Sequence, residues 1–248
     1  MNRKLKETES YRERFAEPGA GEMYEDSLAR RVDAVLWQEI IRSDLQKILK
    51  KIRDSGAERY LDFACGTGRI LMVSTALFDD VSAIDISPEM LSIARERNPG
   101  ARLIVGDITE NPDLVKEIFD CITLFRFILN AEPGLRREVL QWLSGHLYSG
   151  GYLVGNIHMQ VPSIGGWLCI LRHKFLGRQV NYISRQETAD LLAEAGFRIE
   201  SWKGYRILPT IFGRPLLGKR LQIFGERILL FLGLGRFGAD HIFVARKI

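Results

Sequence analysis

Apolar residues recur along this chain with two different spacings. Over residues 27–53 they fall mostly three or four positions apart, with lysines and glutamates between them. This spacing is typical of an amphipathic helix. From residue 59 onward, short apolar runs alternate with helical stretches. Because strands that alternate with helices are joined by crossover connections, the pattern predicts a parallel sheet with helices packed on its faces.

The predicted sheet consists of five short apolar runs followed by two late ones. The first five are RYLDFA, VSAID, ARLIVGD, FDCITLF and GGYLVGNIH, with helices over 70–77, 88–97 and 135–147 and a turn at 149–151 that opens the fifth strand. The late runs RIESWKGYRI and HIFVARKI are expected to pair antiparallel at one edge. The predicted fold is α/β: a Rossmann-like, doubly wound, mostly parallel sheet of about seven strands with an antiparallel edge strand, an N-terminal helical segment and two insertions.

Residues 184–196 carry signals for both ends of one more helix. Ser184 is followed three residues later by Glu187, which is the spacing of a capping box. Gly196 stands at the position where a helix commonly ends in a left-handed residue. The sequence therefore predicts a helix between Ser184 and Gly196.

Composition narrows the class of protein. Hydrophobic residues make up 46% of the 248 residues and charged residues 27%, which is typical of soluble globular proteins and not of disordered or fibrous ones. The 35 Lys and Arg residues against 31 Asp and Glu give a net charge of +4. This basic bias is weaker than that of a dedicated nucleic-acid-binding protein, so no nucleic-acid partner is expected.

The cysteines, the N-terminal residues and the lengths of the apolar runs indicate the cellular compartment of the protein. The three cysteines are widely separated and form no C-x-x-C pair, so neither a disulfide framework nor a metal site is predicted. The N-terminal residues are charged and lack the apolar core of a secretory signal. The longest strongly apolar run, residues 228–234, is far shorter than the roughly 20 residues that span a bilayer as a helix. We expect a cytoplasmic protein, with peripheral contact to the inner membrane surface as a further hypothesis.

The stretch YLDFACGTGRIL, residues 60–71, predicts a ligand-binding turn between a strand and a helix. Gly66 and Gly68 leave backbone N–H groups open to close approach by a ligand. A dinucleotide-binding turn needs a third glycine, and Leu71 follows here instead. The sequence therefore disfavours a pyrophosphate-binding loop.

Three acids stand at the carboxyl ends of the first three predicted strands. They are Asp62, Asp85 and Asp107. Open α/β sheets bind ligands at this edge, and an acid after the second strand is well placed to accept hydrogen bonds from ribose hydroxyls. Taken singly, Asp62 is also explained as a loop-organising acid and Asp107 as an ordinary Asx turn.

In order and spacing, the motifs D-x-A-C-G-T-G-R, AIDISPEML, GDIT and FDCITLFRFILN resemble those of class I S-adenosylmethionine-dependent methyltransferases. The resemblance covers about residues 24–203 and implies that S-adenosylmethionine is the cofactor and S-adenosylhomocysteine its product. It also implies a loop around the methionine part of the cofactor, a ribose ligand and an adenine pocket. The loop residues would be Asp62, Ala64, Gly66 and Gly68, the ribose ligand Asp85, and the adenine neighbours Ile86, Met90, Asp107 and Ile108.

The resemblance further implies what surrounds the transferred methyl group. Phe125 and Arg126 would lie beside the methionine, and Tyr24 is the candidate for a tyrosine that closes over the cofactor, although it is equally explained as a packing aromatic. One departure is Ala64, where the family usually has glycine, and we expect a slightly tighter loop with binding retained. Cys65 beside this loop is read as a small buried hydrophobe.

The resemblance implies that the chain consists of a lid, a catalytic domain and insertions that bind the acceptor. Residues 1–55 would be an N-terminal arm and helix that cover the cofactor, with the first 17 residues as a mobile arm. Residues 56–248 would form the methyltransferase domain, with acceptor-site insertions at 159–183 and 207–239. His158 and His173 are candidate general bases, each with a structural role as the alternative.

Both insertions interleave apolar and basic residues. Residues 214–236 hold five basic residues and one acid, with Lys219, Arg220 and Arg227 on one stripe and large apolar residues on another. The alternatives are a core-covering helix with a solvated basic face, a homodimer contact, a mouth for an amphipathic acceptor, or a helix on an acidic membrane surface.

The function predicted from the sequence is methyl transfer from S-adenosylmethionine to an O or N atom of a small or lipid-like acceptor. One rival is an NAD(P)-binding oxidoreductase, disfavoured by the missing third glycine and by the lack of a Tyr-x-x-x-Lys pair. The other is a non-catalytic module that keeps the cofactor fold.

Overall fold

The computed structural model describes residues 35–158, 160, 163, 166–167, 171, 174–175, 182–211, 214–215 and 218–248, together with residues 12, 19, 21, 23 and 25. Of the predicted helix over 27–53, the part from residue 35 onward lies within these residues and is helical. Its earlier part, and the predicted mobile arm apart from Arg12, lie outside them.

Seven strands form one sheet, as the alternating pattern predicts. Its order is β3-β2-β1-β4-β5-β9-β6, in which the first five are parallel and β9 runs antiparallel to both β5 and β6. The strands are β1 (Arg59–Phe63), β2 (Asp80–Asp85), β3 (Arg102–Val105), β4 (Phe119–Leu124), β5 (Leu147–Ile157), β6 (Phe197–Tyr205) and β9 (Asp240–Lys247). A short separate hairpin is made by β7 (Thr210–Ile211) and β8 (Arg214–Pro215).

Six helices accompany these strands in the described part of the chain. They are α1 (Arg42–Asp54), which continues a π-helical turn at Trp37–Ile41, α2 (Leu71–Ser74), α3 (Pro88–Arg97), α4 (Pro133–Gly145), α5 (Arg185–Glu194) and α6 (Lys219–Phe231). Short 3-10 turns occupy Pro112–Leu114 and Leu234–Phe237. Among the described residues, no helix combines the length and the apolar character that crossing a bilayer requires.

The central strands are buried on both faces. Neighbouring residues of β1 point to opposite sides, so Tyr60 packs in one hydrophobic cluster and Leu61 in the other. In β4 the same alternation separates Cys121 from Ile122. Parallel strands covered on both faces read as nearly continuous apolar runs, which is why the sequence predicts them without a clean polar alternation.

The predicted helix between Ser184 and Gly196 is confirmed in detail. The Ser184 hydroxyl accepts a hydrogen bond from the Glu187 N–H at 3.0 Å, and the Glu187 carboxylate accepts one from the Ser184 N–H at 2.7 Å. Gly196 has φ of +83°, a left-handed value that glycine adopts without strain. This helix, α5, therefore begins and ends where its capping residues indicate.

One local prediction about the strands is corrected. The expected turn at 149–151 lies inside β5, which begins at Leu147, and a register shift opposite Phe119 and Cys121 absorbs the irregularity at Gly150. The prediction that the late strands pair antiparallel at one edge is confirmed, with β9 between β5 and the edge strand β6. Local turn chemistry at Ser149 and Gly150 is outweighed here by pairing with β4.

Helix α6 packs onto the fold through polar side chains. Glu226 is fully buried, and its carboxylate accepts hydrogen bonds from the backbone N–H groups of Ile207 at 2.8 Å and Leu208 at 3.2 Å. Gln222, one turn earlier, is also buried and donates to the Leu208 carbonyl at 3.4 Å. The sequence left open that the large apolar residues of this helix cover the core. This alternative is wrong for Leu221, Phe224, Ile228 and Phe231, which are exposed.

Replacing Glu226 tests this polar attachment. We expect Glu226→Ala to lower the free energy of unfolding by about 2–3 kcal/mol, because two buried N–H groups would lose their acceptor. Urea unfolding followed by circular dichroism measures the change. Glu138→Ala removes an exposed glutamate from the surface of α4 and is the matched control. Equal stability of the two variants would contradict the role given to Glu226.

Candidate active site

The loop after β1 is tied to the neighbouring strand by its backbone. The Cys65 N–H donates to the Ile84 carbonyl at 3.1 Å, and the Gly66 N–H donates to Asp85 Oδ2 at 2.8 Å. Both glycines have positive φ, +53° for Gly66 and +78° for Gly68. The loop therefore takes the conformation for which its glycines are needed.

The two glycines serve different purposes. A Cβ on Gly68 would lie 2.6 Å from Asn98 Nδ2 and 3.1 Å from Ala94 Cβ, so this glycine permits close packing against α3. A Cβ on Gly66 would have no protein atom within 4 Å, and Gly66 lines two open clefts. Gly68 thus serves the fold, whereas Gly66 leaves room for a ligand.

Ala64 adopts the conformation of the glycine that it replaces. Its φ is +54°, a left-handed value that L-residues other than glycine adopt at a cost of about 1–2 kcal/mol. From the sequence we expected the extra methyl group to make the loop slightly tighter. In the structure the energetic cost of alanine lies in its left-handed backbone conformation.

Asp85, at the end of β2, lines one of these two clefts together with Met90 and Asp107. We call this one the first cleft. Asp85 Oδ2 accepts from the Gly66 N–H, and Asp85 Oδ1 accepts from the Ser87 N–H at 3.0 Å. Burial raises the pKa of this carboxyl, while the two backbone donors oppose that rise. Because each carboxylate oxygen has two lone pairs, Asp85 retains acceptor capacity for hydroxyl groups in the cleft.

Asp62 is a buried acid with one oxygen left over. Its Oδ1 accepts a hydrogen bond from Thr123 Oγ1 at 2.7 Å, whereas its buried Oδ2 has no hydrogen bond within standard limits from the described residues. Burial raises the pKa of Asp62 to about 7. The Thr123 hydrogen bond and a weak interaction with the Leu71 N–H oppose this rise, and the Asp85 charge adds to it. An oxygen of this kind has acceptor capacity that the described residues leave largely unused.

Asp107 lies at the far end of the first cleft. Its Oδ1 accepts hydrogen bonds from the backbone N–H and the hydroxyl of Thr109, at 2.9 and 2.7 Å, as in an Asx turn. Its Oδ2 forms an ion pair with Arg12 Nε at 2.9 Å. Arg12 also lines this cleft and was not anticipated from the sequence.

Most of the predicted cofactor residues converge on this first cleft. Ile86, Met90 and Ile108 contribute apolar lining, and Phe125 and Arg126 line it as well. Asp62 and Gly68 do not line it: Asp62 lines the second cleft, and Gly68 packs behind the loop. The role of each residue toward a cofactor stays a prediction from the family resemblance. The structure shows that most of these residues line one cleft.

Parts of the N-terminal segment contact one face of α3. The Gly19 N–H donates to the Glu89 carboxylate at 2.7 Å, and Gly21 lies against Ile93. Four residues further along α3, Arg97 pairs with Glu25 at 2.9 Å. Burial alone would raise the pKa of the Glu25 carboxyl, but hydrogen bonds from Arg97 and Thr67 lower it below its usual value. Tyr24 lies outside the described residues, so its predicted role as a lid stays a prediction.

A second cleft also borders the glycine loop and is lined by Cys65, Thr67 and Ile70. It shares Ala64, Gly66, Phe125 and Arg126 with the first cleft. The candidate base His158 lines it, whereas the candidate base His173 lies outside the described residues. The two clefts are therefore neighbours that meet where the loop after β1 faces the end of β4.

Arg126 is unusual in both backbone and side chain. Its φ is +57°, and this strained conformation is held by hydrogen bonds of its N–H to Asn156 Oδ1 at 2.6 Å and of its carbonyl to Asn130 Nδ2 at 2.5 Å. Its guanidinium makes no hydrogen bond or ion pair with the described residues. Backbone strain of this kind is often kept at functional sites.

His241, at the start of β9, is a wall residue of the second cleft that the sequence interpretation missed. It is 1% exposed, and neither ring nitrogen has a hydrogen-bond partner within standard limits among the described residues. Burial lowers the pKa of His241 to about 4, so the ring is neutral at neutral pH. A late edge-region strand gives no local signal that one of its residues will reach a cleft formed by β1 and β4.

Comparisons with known proteins agree with this arrangement. Residues 61–151 match the model of the "Methyltransferase domain" family. A methyltransferase of Geobacillus sp. (strain WCH70) is 28% identical over 137 residues, which are 54% of this chain and 54% of that protein. The dTDP-3-amino-3,4,6-trideoxy-α-D-glucopyranose N,N-dimethyltransferase of Streptomyces venezuelae is 38% identical over 68 residues, 27% of this chain and 28% of that protein. The match thus spans about half the length of the first of these relatives.

Among solved structures, one neighbour is the amino pentose methyltransferase CalS10 from Micromonospora echinaspora, in a complex with S-adenosylmethionine. The TM-score is 0.55 at 20% identity, and the match covers 85% of this chain and 91% of that one. The fold is therefore that of S-adenosylmethionine-dependent methyltransferases. The family model over residues 61–151 and this fold support the predicted class I methyltransferase and its predicted cofactor, S-adenosylmethionine.

The residues present fit this cofactor. The free Oδ2 of Asp62 matches the ammonium group at the methionine end, and the remaining acceptor capacity of Asp85 matches two ribose hydroxyls. Gly66 leaves open space between them. When bound, S-adenosylmethionine supplies a methyl group that its sulfonium centre already activates. The buried Cys65 offers no competing nucleophile, because burial raises the pKa of its thiol well above the usual range.

The division of labour between the two glycines can be tested with a matched pair of variants. We expect Gly68→Ala to lower the free energy of unfolding by about 2–4 kcal/mol, because the new methyl group would clash with Asn98 and Ala94 at a left-handed φ. Gly66→Ala should cost only about 1–2 kcal/mol but weaken S-adenosylhomocysteine about tenfold or more, because the methyl group would enter the open space. Urea unfolding and calorimetry measure the two effects. Equal stabilities and equal affinities would contradict the assignment.

The orphaned Asp62 oxygen predicts pH-dependent cofactor binding. Below pH 7 the Asp62 carboxyl is protonated in the free protein, and an ammonium group favours its ionised form, so binding must release a proton. S-adenosylhomocysteine affinity should therefore rise about tenfold per unit from about pH 5.5 to 6.5 and level off above about pH 7.5. Calorimetry in buffers of different ionisation enthalpy measures the released proton. Asp62→Asn should bind more weakly and lose this pH dependence. An unchanged profile in that variant would assign the titration to another group.

Proposed function

We propose that this protein transfers a methyl group from S-adenosylmethionine to an O or N atom of a small or lipid-like acceptor bound in the second cleft. One observation carries the proposal: two clefts meet at Ala64, Gly66, Phe125 and Arg126. The first holds the residues predicted for the nucleoside, and the second is the open space on the methionine side. An acceptor there would approach the methyl group directly, and methyl transfer needs little beyond such positioning and exclusion of water.

The lining of the second cleft favours an amphipathic acceptor. One wall is apolar and aromatic and includes Leu36, Trp37 and Ile41. The Arg69 guanidinium lies 5.0 Å from the centre of the Trp37 ring, and Arg126 stands at the junction with the first cleft. The carboxyl groups of Asp62 and Asp240 line the cleft as well, so an apolar wall beside charges of both signs suits a molecule with a flat or aliphatic body and a polar group.

A general base is needed when the attacking atom must lose a proton, as a hydroxyl does. His158, directly after β5, lines the second cleft and is the residue that we assign to this step. His241 lines the same cleft on the neighbouring strand, where it pairs in register with Ile157, and its neutral ring can accept or donate a hydrogen bond and so orient the acceptor. His173 stays a second candidate base. An amine acceptor that arrives unprotonated would need neither base.

The relatives support an N atom as one of the two acceptor types. The S. venezuelae protein and CalS10 are both methyltransferases of amino sugars. The acceptor panel below therefore includes an amino sugar nucleotide beside hydroxyl acceptors.

The test is a methyl-transfer assay with labelled S-adenosylmethionine and a panel of acceptors. The panel contains phenols, amines, an amino sugar nucleotide and single-chain lipids with acidic head groups. We expect turnover with at least one amphipathic acceptor. For a hydroxyl acceptor, His158→Ala should lower kcat about 100-fold or more with S-adenosylhomocysteine affinity unchanged. His146→Gln is the matched control, since His146 lies at the end of α4 and bonds to backbone carbonyls of Trp142 and Val115.

Two outcomes would replace this proposal. Cofactor binding without turnover on any acceptor would favour a non-catalytic module. A rise in melting temperature with NADH and none with S-adenosylhomocysteine would favour an oxidoreductase. The second outcome is disfavoured by the loop itself, because Leu71 is fully buried at the position of the missing glycine.

A further inference from the structure

Helix α6 turns its large apolar side chains toward solvent. Leu221, Phe224, Ile228 and Phe231 follow one another at spacings of three and four along the helix, with exposed fractions of 61%, 64%, 43% and 90%. Leu232, directly after the helix, is 62% exposed. Spacings of three and four place these residues on one face. Single exposed apolar residues are ordinary, but a continuous outward stripe of this size marks an interaction site.

The inward face of the same helix is held by polar contacts. Gln222 and Glu226 are buried and bond to the backbone at Ile207 and Leu208. Only Ile223 and Leu230 pack partly against the apolar core. A helix that serves only to cover a core has the reverse orientation. Packing against the core therefore does not explain why α6 carries this outward apolar stripe.

The charges around the stripe have one sign. Lys219, Arg220 and Arg227 are exposed, and Arg236 follows shortly after the helix. The helix has a single acid, Glu226, and its carboxylate is buried. Arg227 shares its charge with Glu39 at 3.2 Å, whereas Lys219 and Arg220 form no ion pair with the described residues. Arg220 lies four residues before Phe224 and so borders the stripe, whereas Lys219 stands at the exposed start of the helix, on the face of Gln222 and Glu226.

The ion pair of Arg227 also fixes where the helix stands. Glu39 belongs to the π-helical turn at Trp37–Ile41, and Trp37 and Ile41 line the second cleft. The ion pair therefore links α6 to the helical turn that contributes part of the wall of that cleft.

The first insertion contributes a similar surface where it is described. Trp167, Leu171 and Phe175 are spaced four residues apart and are 54%, 56% and 91% exposed. Lys174 beside them is also exposed. Two separate insertions thus present aromatic and aliphatic side chains outward together with basic residues.

We infer that the outward face of α6 docks on a membrane surface that contains anionic lipids. The apolar stripe suits the boundary between head groups and acyl chains, Arg220 beside the stripe suits the acidic head groups, and Lys219 at the exposed start of the helix adds positive charge near them. A second copy of this chain fits less well, because a symmetric contact would bring the two basic flanks together. The inference goes beyond methyl transfer, since docking does not depend on which acceptor is methylated. Its consequence for the proposed function is that the cleft can receive lipid-like acceptors from the membrane.

The test measures cosedimentation of the full chain with vesicles. One set contains phosphatidylcholine alone, and the other contains phosphatidylcholine with phosphatidylglycerol. The wild-type protein should bind the anionic vesicles and lose binding at high salt. Lys219→Glu with Arg220→Glu should weaken binding about 30-fold or more at low salt. Phe224→Ser with Phe231→Ser should weaken it about 100-fold.

The matched control is Lys51→Glu with Arg53→Glu, which makes the same change in net charge on the exposed surface of α1. This control should bind within about twofold of the wild type after allowance for the weaker long-range attraction. S-adenosylhomocysteine affinity, measured for all variants, shows that each is folded and separates failure of docking from failure of the proposed function.

Three results would overturn the inference. They are absence of wild-type binding to anionic vesicles, equal binding by the α6 variants and the control, and a wild-type dimer that Phe224→Ser with Phe231→Ser converts to a monomer. The last result would assign the stripe to a second copy of the chain.

Discussion

The hydrogen bond from the Gly66 N–H to the Asp85 carboxylate is the contact on which the candidate site depends. It joins the loop after β1 to the end of β2 and so fixes the two elements between which the first cleft opens. The contact requires a left-handed residue at position 66 and a carboxylate at position 85. It also holds the Asp85 carboxylate in place while leaving part of its acceptor capacity open. A ligand therefore finds its polar partner already oriented, which lowers the entropy that binding must overcome.

Burial then gives the acids at this edge different properties. Asp85 is satisfied by two backbone donors, Asp107 by Thr109 and Arg12, and Asp62 by Thr123 on one oxygen only. The pKa of Asp62 accordingly rises to about 7, which makes it the acid most sensitive to an incoming cation. On the other side of the loop, His158, His241 and Arg126 face a second cleft with an apolar wall. The same sheet edge thus carries two clefts with different linings, which we assign in our proposal to the nucleoside and to the acceptor.

Much of this could be predicted from the sequence, because the relevant signals are local. The alternation of strands and helices, the capping box at Ser184 and the acids after three strands each depend on residues close in the chain. What escaped prediction depends on long-range packing. His241 reaches the second cleft only because β9 inserts beside β5, and Arg12 meets Asp107 across 95 positions of sequence. The orientation of α6 was also hidden, since an apolar stripe normally indicates the buried face and here Glu226 takes that place.

The most direct test of the central claim is a calorimetric titration of S-adenosylhomocysteine into the wild-type protein and into Asp85→Ala. The account predicts saturable binding of one molecule per chain, weakened about 5- to 150-fold by the substitution because buried hydrogen bonds to the carboxylate are lost. It predicts no comparable binding of NADH. Absence of binding to the wild-type protein, or equal affinity in the two proteins, would contradict the claim that this edge of the sheet holds the cofactor.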